Sequence, residues 1–284
     1  PGCDVVGEWG DPREFEAFPP GRAVDAHKGG MGRVLVVGGG PGYHGAAVLA
    51  VRGALRANPG LVTAWTHPES HVAVASQVAA AMASPWEPGR DLPPGLTCIV
   101  AGPGMTGDAV EAAWADRVRA WWESSGAAVV VDASALAFLR PGPVRVTAPR
   151  VITPHPGEAG RLLGITGAGV QRDRVGALGR LQAMFAGAWV VLKGSATLVG
   201  RDGTKPWWNS TGNPWMAQGG SGDVLAGFLA GLLARPDVSA DAGKAVRFGV
   251  FEHGAAADRL LSRGVGWTTE DLAEEVGRFP APAG

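Results

Sequence analysis

The chain has 284 residues, 46 % of them apolar, enough to bury a sizeable core without a disulfide framework or a structural metal. Lys and Arg number 25 against 26 Asp and Glu, which excludes nucleic-acid binding through bulk positive charge. The longest apolar run near a helix, residues 224–234, falls short of the roughly 18 residues that a membrane span needs.

Residues 1–25 are polar and proline-punctuated and carry Glu8, Asp11, Glu14 and Glu16, so they read as a loose N-terminal arm rather than a secretory leader. Cys3 lies in that arm and Cys98 in an apolar run. Two cysteines are too few for a disulfide scaffold, and a reducing, cytoplasmic setting is the expectation. From residue 26 to 284 the pattern predicts one domain. Short β-branched runs at 33–37, 61–66, 97–101, 129–132, 151–153 and 189–193 read as strands. Between and after them, 46–57, 110–123, 175–185, 224–234 and 246–261 read as helices, and the proline-rich 84–94 reads as a surface loop. Strands this short, apolar on both faces and separated by helices, predict a mostly parallel central sheet with helices on both faces, an α/β fold. The 45 glycines then serve tight turns and close backbone approaches.

Chemistry concentrates where predicted strands end. The run Asn213-Pro-Trp-Met216-Ala-Gln-Gly219-Gly220-Ser221-Gly222-Asp223 leads straight into the 224–234 helix. Glycines before a helix let successive N–H groups converge, and the helix start adds about half a positive charge, an arrangement suited to phosphate or a developing anion. Asp223 reads either as the helix N-cap or as a general base beside that anion hole. Gly227 and Gly231, four apart, would let the helix approach a neighbour closely. The strand 189–193 ends in Lys193 and is followed by Gly194, Ser195, Ala196 and Thr197, which offer a charge, amides and hydroxyls for a phosphate. Thr153-Pro-His155-Pro-Gly-Glu158 presents His155 from a loop stiffened by two prolines, and 101–104 forms another glycine turn after a strand.

A competing signal is Gly40-Pro-Gly42-Tyr-His-Gly45, which matches the dinucleotide-binding fingerprint, with Glu69 as its acidic residue. A proline inside the tight turn and the placement of Glu69 beyond its strand weaken it. The six histidines form no H-E-x-x-H zinc motif, and neither a nucleophile elbow nor a Walker lysine occurs. The eleven tryptophans read as packing, with Trp207, Trp208 and Trp215 as alternative walls of a ligand pocket.

Taken together and in order, the segments His27 to Gly38, Gly45 to Ala50, Gly102-Pro-Gly104, Thr153 to Glu158, Leu192-Lys-Gly194, Thr211 to Pro214 and Gly219 to Gly227 resemble the NAD(P)H-hydrate dehydratases, a branch of the ribokinase-like superfamily. The resemblance spans about Ala26 to Ala273 and implies a stand-alone dehydratase domain. It implies repair of hydrated NADH or NADPH, with ADP (ATP in eukaryotic relatives) and Mg²⁺ as cofactors. The hydroxyl would be phosphorylated and phosphate eliminated. By the same resemblance Asp223 is the catalytic base and Gly219, Gly220, Ser221 and Gly222 are the anion hole. Lys193, Gly194, Ser195, Ala196, Thr197, Asn213, Met216 and Gly222 would bind the nucleotide. Ala46, Gly104, His155, Glu158 and Asp223 would bind the hydrated dinucleotide, with Glu158 acting through Mg²⁺. A homo-oligomer, such as a tetramer, and an epimerase as functional partner are also implied. The chain departs from the family pattern at Trp215, where glycine is usual, at Ser221, where threonine is common, and at Asn58-Pro59. The remaining alternatives are a ribokinase-like vitamin or sugar kinase, a nucleotide sensor and a Rossmann oxidoreductase.

Overall fold

In Arg33-Val-Leu-Val-Val37 alternate side chains join opposite faces of one sheet. Val34 and Val36 enter one core, Leu35 and Val37 the other. The same alternation splits Cys98 and Val100 from Ile99 and Ala101, and Ala128 and Val130 from Val129 and Val131. Burial on both faces is what the continuous apolar runs predict for parallel strands. The computed structural model describes residues 7–278, apart from 88, 106 and 107; Cys3 lies outside them.

The strands are β1 (Glu8–Trp9), β2 (Arg33–Val37), β3 (Leu61–Thr66), β4 (Met82–Pro85), β5 (Cys98–Ala101), β6 (Ala128–Val131), β7 (Arg150–Ile152), β8 (Trp189–Leu192), β9 (Leu198–Gly200) and β10 (Trp207–Trp208). They form one sheet in the order β1-β10-β9-β8-β7-β6-β5-β2-β3-β4. Every pairing from β4 to β8 is parallel, whereas β9 turns back antiparallel on β8 and β10 on β9. The parallel part has a doubly wound order with its switch point between β2 and β5. The helices are α1 (His44–Arg56), α2 (His71–Ala75), α3 (Asp108–Ser124), α4 (Pro156–Leu163), α5 (Gly167–Arg172), α6 (Arg174–Met184), α7 (Ser221–Ala234), α8 (Pro236–Ser239), α9 (Ala242–Leu261) and α10 (Thr269–Glu275). Helices α1, α7 and α9 cover one face of the sheet, α3 and α6 the other.

Helix α7 is apolar on all sides and is buried along its length from Val224 onward. Its small residues set the approach to α1. A Cβ on Gly227 would fall on the Ala50 carbonyl, one on Gly231 on the Ala54 carbonyl, and one on Gly53 of α1 on the Val224 carbonyl. The two helices therefore meet backbone to backbone. On the opposite face Arg150, fully buried, donates to the carbonyls of Trp121, Trp122 and Ser125 at the end of α3, and to that of Ala127. It satisfies carbonyls that the end of α3 leaves open, and burial lowers its pKa to about 10.

Two expectations need correction. The loop expected over 84–94 begins as strand: Ser84 and Pro85 pair with Trp65 and Thr66 in β4, and buried Trp86 stacks on Trp114 at 3.9 Å. Proline is tolerated there because β4 is an edge strand. The arm expected over 1–25 is not loose from residue 7 onward. Glu8 and Trp9 pair with β10, Phe15 is buried against Phe248 and Phe251, and Glu14 accepts hydrogen bonds from Trp207 Nε1 and Arg247 Nε. Acidic side chains mark this segment as solvated, but Phe15 and Glu14 each have a partner on the domain.

Candidate active site

The carboxyl ends of the parallel strands deliver nearly every residue that the motifs single out. The turn 38–40 follows β2, the turn 102–104 follows β5, Asp132 follows β6, the segment 153–158 follows β7 and Lys193 follows β8. Helix α7 begins over this edge. Gly220 is its N-cap at φ 96°, a conformation that favours glycine, and no side chain caps the first turn. The amides of Gly222 and Asp223 thus have no intrahelical acceptor and carry the positive end of the helix dipole. Asp223 is the third helical residue, so the N-cap reading of its side chain is excluded. A helix start one residue past a left-handed glycine is not visible in residue type alone.

Asp223 sits among charges. Burial raises its carboxyl to a pKa of about 7, with the carboxylates of Asp132 and Glu158 adding to the rise and Lys193 opposing it. Lys193 Nζ donates to Asp132 Oδ1 at 2.7 Å and stands 3.9 Å from Glu158 Oε2. It also lies over the start of α7, where a Cβ on Gly222 would come within 3.0 Å of Nζ and 3.7 Å of Asp132 Oδ2. Burial would by itself lower the Lys193 pKa; the Asp132 and Glu158 carboxylates outweigh it, and the net shift is upward. Asp132, almost wholly buried, also accepts from Thr153 Oγ1 at 2.7 Å. Sequence reasoning reads Asp132 only as the last residue of a strand. Its signal is there to find: a lone carboxylate after four apolar residues, at a strand's carboxyl end.

His155 and Glu158 form a capping box at the start of α4. His155 Nδ1 accepts from the amides of Gly157 and Glu158, and Glu158 Oε2 accepts from the His155 amide at 2.8 Å. The other edge of the ring, Nε2, is 3.3 Å from Glu158 Oε1, and the side chain is half exposed. Burial lowers the His155 pKa against the pull of Glu158, so the ring is neutral near pH 7 and donates from Nε2.

Beside this cluster opens a pocket of about 400 Å³. Lys193, Gly194, Ser195, Ala196 and Thr197 line one side; Asn213, Met216 and Ser221 line the other. Arg174 fixes the first wall by donating to the carbonyls of Leu192, Ser195 and Ala196. Asp258 of α9 fixes the second, accepting from Asn213 Nδ2 at 2.9 Å and from the Gly212 amide at 2.8 Å. Buried His253 donates from Nε2 to the Ser221 carbonyl at 3.0 Å, and burial lowers its pKa to about 4, so it stays neutral. None of these three supports stands out in the sequence, because each lies mid-helix or at a helix start with no local motif. Trp215 stays on the rim, 45 % exposed and outside the pocket lining. Trp207 is buried in packing and Trp208 stacks on Trp9 at 5.7 Å, so neither walls the pocket.

Ala46 and Gly104 meet at the switch point, where a Cβ on Gly104 would press on the Ala46 Cβ and the Tyr43 carbonyl. Gly102 backs directly onto the Asp132 carbonyl, which links this turn to the charged cluster. The turn 40–45 packs against the turn 102–104. The Gly39 and Gly40 amides donate to the carbonyls of Pro103 and Gly104, and Glu69 sits exposed in a short turn beyond β3. A magnesium site built from protein groups alone does not fit either. Among the described residues no three His, Cys, Asp or Glu side chains are placed to hold one ion, and Lys193 already fills the space between Asp132 and Glu158.

The fold is ribokinase-like. A family model described as NAD(P)H-hydrate dehydratase matches residues 34–278, and the chain belongs to that family. It is 37 % identical over 275 residues to the ADP-dependent (S)-NAD(P)H-hydrate dehydratase of Neisseria meningitidis, covering 93 % of this chain and 88 % of that one. Against the bifunctional NAD(P)H-hydrate repair enzyme Nnr of Coxiella burnetii the identity is 41 % over 261 residues, 87 % of this chain and 50 % of the relative. The chain thus spans about half the length of the first curated relatives it matches. The crystal structure of the Bacillus subtilis ADP/ATP-dependent NAD(P)H-hydrate dehydratase, co-crystallised with ATP and Mg²⁺, superposes with a TM-score of 0.85 at 26 % identity, covering 96 % and 98 % of the two chains.

Proposed function

We propose that this chain dehydrates hydrated NADH or NADPH at the expense of ADP, with Asp223 as the general base. The observation that carries this reading is one carboxyl, raised to about 7, in the first turn of a helix whose amides are open to an anion and whose Ser221 lines the adjacent pocket. Phosphoryl transfer needs little more from a protein than positioning and charge stabilisation.

The nucleotide lies in the pocket between residues 193–197 and 213–216, its terminal phosphate against the amides of residues 219–222. The hydrated nicotinamide enters from the side of Ala46, Gly104, His155 and Glu158. Asp223 takes the proton of the ring hydroxyl as its oxygen attacks the terminal phosphorus, and the bond from that phosphorus to the nucleotide oxygen breaks. Phosphate is a far better leaving group than hydroxide. Its departure, with loss of a proton from the neighbouring ring carbon, restores the double bond. A pKa of about 7 suits the base, which can lose its proton near neutral pH and keeps enough basicity to accept one from the hydroxyl. Magnesium, where required, enters with the nucleotide phosphates rather than on a preformed protein site.

The (S) configuration in the Neisseria relative's name and the double length of the bifunctional relatives support an epimerase as functional partner, supplying the reactive epimer. The buried thiol of Cys98 fits a reducing, cytoplasmic setting. Incubation with the hydrate, Mg²⁺ and ADP should restore the absorbance of reduced nicotinamide and release phosphate in equal amount. Asp223→Asn should lower turnover by about 10²–10⁴-fold while leaving nucleotide affinity within a few-fold, because no nest amide depends on that side chain. No recovery with either ADP or ATP would overturn the assignment. A stable phosphoester would make the chain a small-molecule kinase instead.

A further inference from the structure

We infer that Asp132 is a positioning residue for this reaction: it holds the Lys193 ammonium between the anion nest and the acid cluster, and the two charges set the basicity of Asp223 in opposite directions. The inference rests on the general-base reading of Asp223 above. Its ground is geometric. Asp132 Oδ1 accepts from both Lys193 Nζ and Thr153 Oγ1 at 2.7 Å, and its other oxygen points towards Gly222 at the start of α7. Thr153 leaves that carboxylate little freedom, and a carboxylate so fully buried keeps its charge only with a partner. Lys193 is the partner, and through it Asp132 fixes a cation beside the amides of α7.

The position has a further mark. Ala133, the next residue, has φ 50°, a conformation that a non-glycine residue seldom adopts. Ala133 opens the short helix 133–138 directly after β6, and the buried Asp132 side chain meets Thr153 and Lys193, which follow β7 and β8.

The groups that face Asp223 are Asp132 from the end of β6, Glu158 with His155 beside it at the start of α4, and Lys193 from the end of β8. His253 of α9 lies behind Ser221 and is neutral. Removal of one charge from this set has a definite sign. Asp132→Asn deletes a negative charge but keeps an oxygen that can accept from Lys193, so Asp223 becomes easier to ionise. Lys193→Met deletes the only cation among those groups, so Asp223 becomes harder to ionise. A like or opposite charge at this range moves the pKa of a carboxyl by about 1–3.

The test is the titration midpoint of the Asp223 carboxyl in nucleotide-free protein, read by isotope-edited infrared with Asp223→Asn to assign the band. Asp132→Asn should move it down by about one pH unit and Lys193→Met up by about one. The acid limb of kcat should follow in the same directions, with kcat for Asp132→Asn reduced about tenfold or more and nucleotide KM changed less than about threefold. A merely structural role for Asp132 would lower stability without opposite movements of the midpoint. Equal movement in both variants, or no movement in either, overturns the inference. If Asp132→Asn fails to fold by circular dichroism, Lys193→Met decides alone, and an unmoved midpoint overturns it. The infrared readout needs no turnover. Midpoints that move as expected in a protein without dehydratase activity would therefore refute the proposed function and leave the electrostatic coupling standing.

Discussion

At the scale of residues, Asp223 is a group whose role opposes stability. Its carboxyl is raised in the folded state from 3.8 to about 7, chiefly by burial, so the folded protein binds its proton more tightly than the unfolded chain does. The linked stability is therefore fully present below about pH 4 and is lost as pH rises through about 7. Asp223→Asn removes that penalty. At pH 8 the variant should be more stable than the parent by about 2–4 kcal/mol, since a tenfold change in proton affinity corresponds to about 1.4 kcal/mol, and the gain should vanish at pH 4. Urea denaturation at the two pH values checks this, and equal stabilities at pH 8 would mean that the carboxyl is not strained by its surroundings. The sequence shows Asp223 and Lys193 plainly, because each ends or follows a motif. It shows Asp132 only as a carboxylate at a strand end and does not mark Asp258 or His253; the meaning of all three comes from groups distant in the chain that the fold brings alongside them.

Among the elements, the α1–α7 pair carries the most specific packing. Glycines at 53, 227 and 231 remove the side chains that would separate two backbones, and the start of α7 is thereby fixed over the strand ends. Gly227→Ala places a Cβ on the Ala50 carbonyl, and the helices must part. The expected loss is about 1–3 kcal/mol, with a matching fall in nucleotide affinity because the anion nest moves with the helix. Thermal melts and nucleotide titration of the variant would show it. A variant as stable as the parent would mean that the helices are not in backbone contact. Glycine spacing alone predicts this approach, just as β-branched runs place β2 and β3 to the residue. Helices α4 and α5 escape such reading because they are only 8 and 6 residues long and rich in glycine. Strands β1 and β10, two residues each, are defined by their pairing partners and not by their composition.

Across the whole molecule, residues 7–25 close the far edge of the sheet. Phe15 packs 5.1 Å from Phe251 and 5.5 Å from Phe248 on α9, the helix that also supplies Asp258 and His253 to the nucleotide pocket. Phe15→Ala should destabilise the protein by about 3 kcal/mol, as truncation of a buried aromatic side chain does; a change within about 0.5 kcal/mol would restore the picture of a loose arm. Composition alone does not separate a docked acidic segment from a solvated one, so the docking of this arm is legible only in the fold. Fold class is more legible, since alternating strands and helices with apolar runs admit few architectures.

The central claim is that phosphate is held by the first-turn amides of α7 beside Asp223, and a crystal structure of the protein with ADP measures this directly. It should place the terminal phosphate within hydrogen-bond distance of the amides among residues 219–223, with the adenosine in the pocket between Thr197 and Met216. Phosphates found instead along the turn 40–45, or remote from α7, would contradict it.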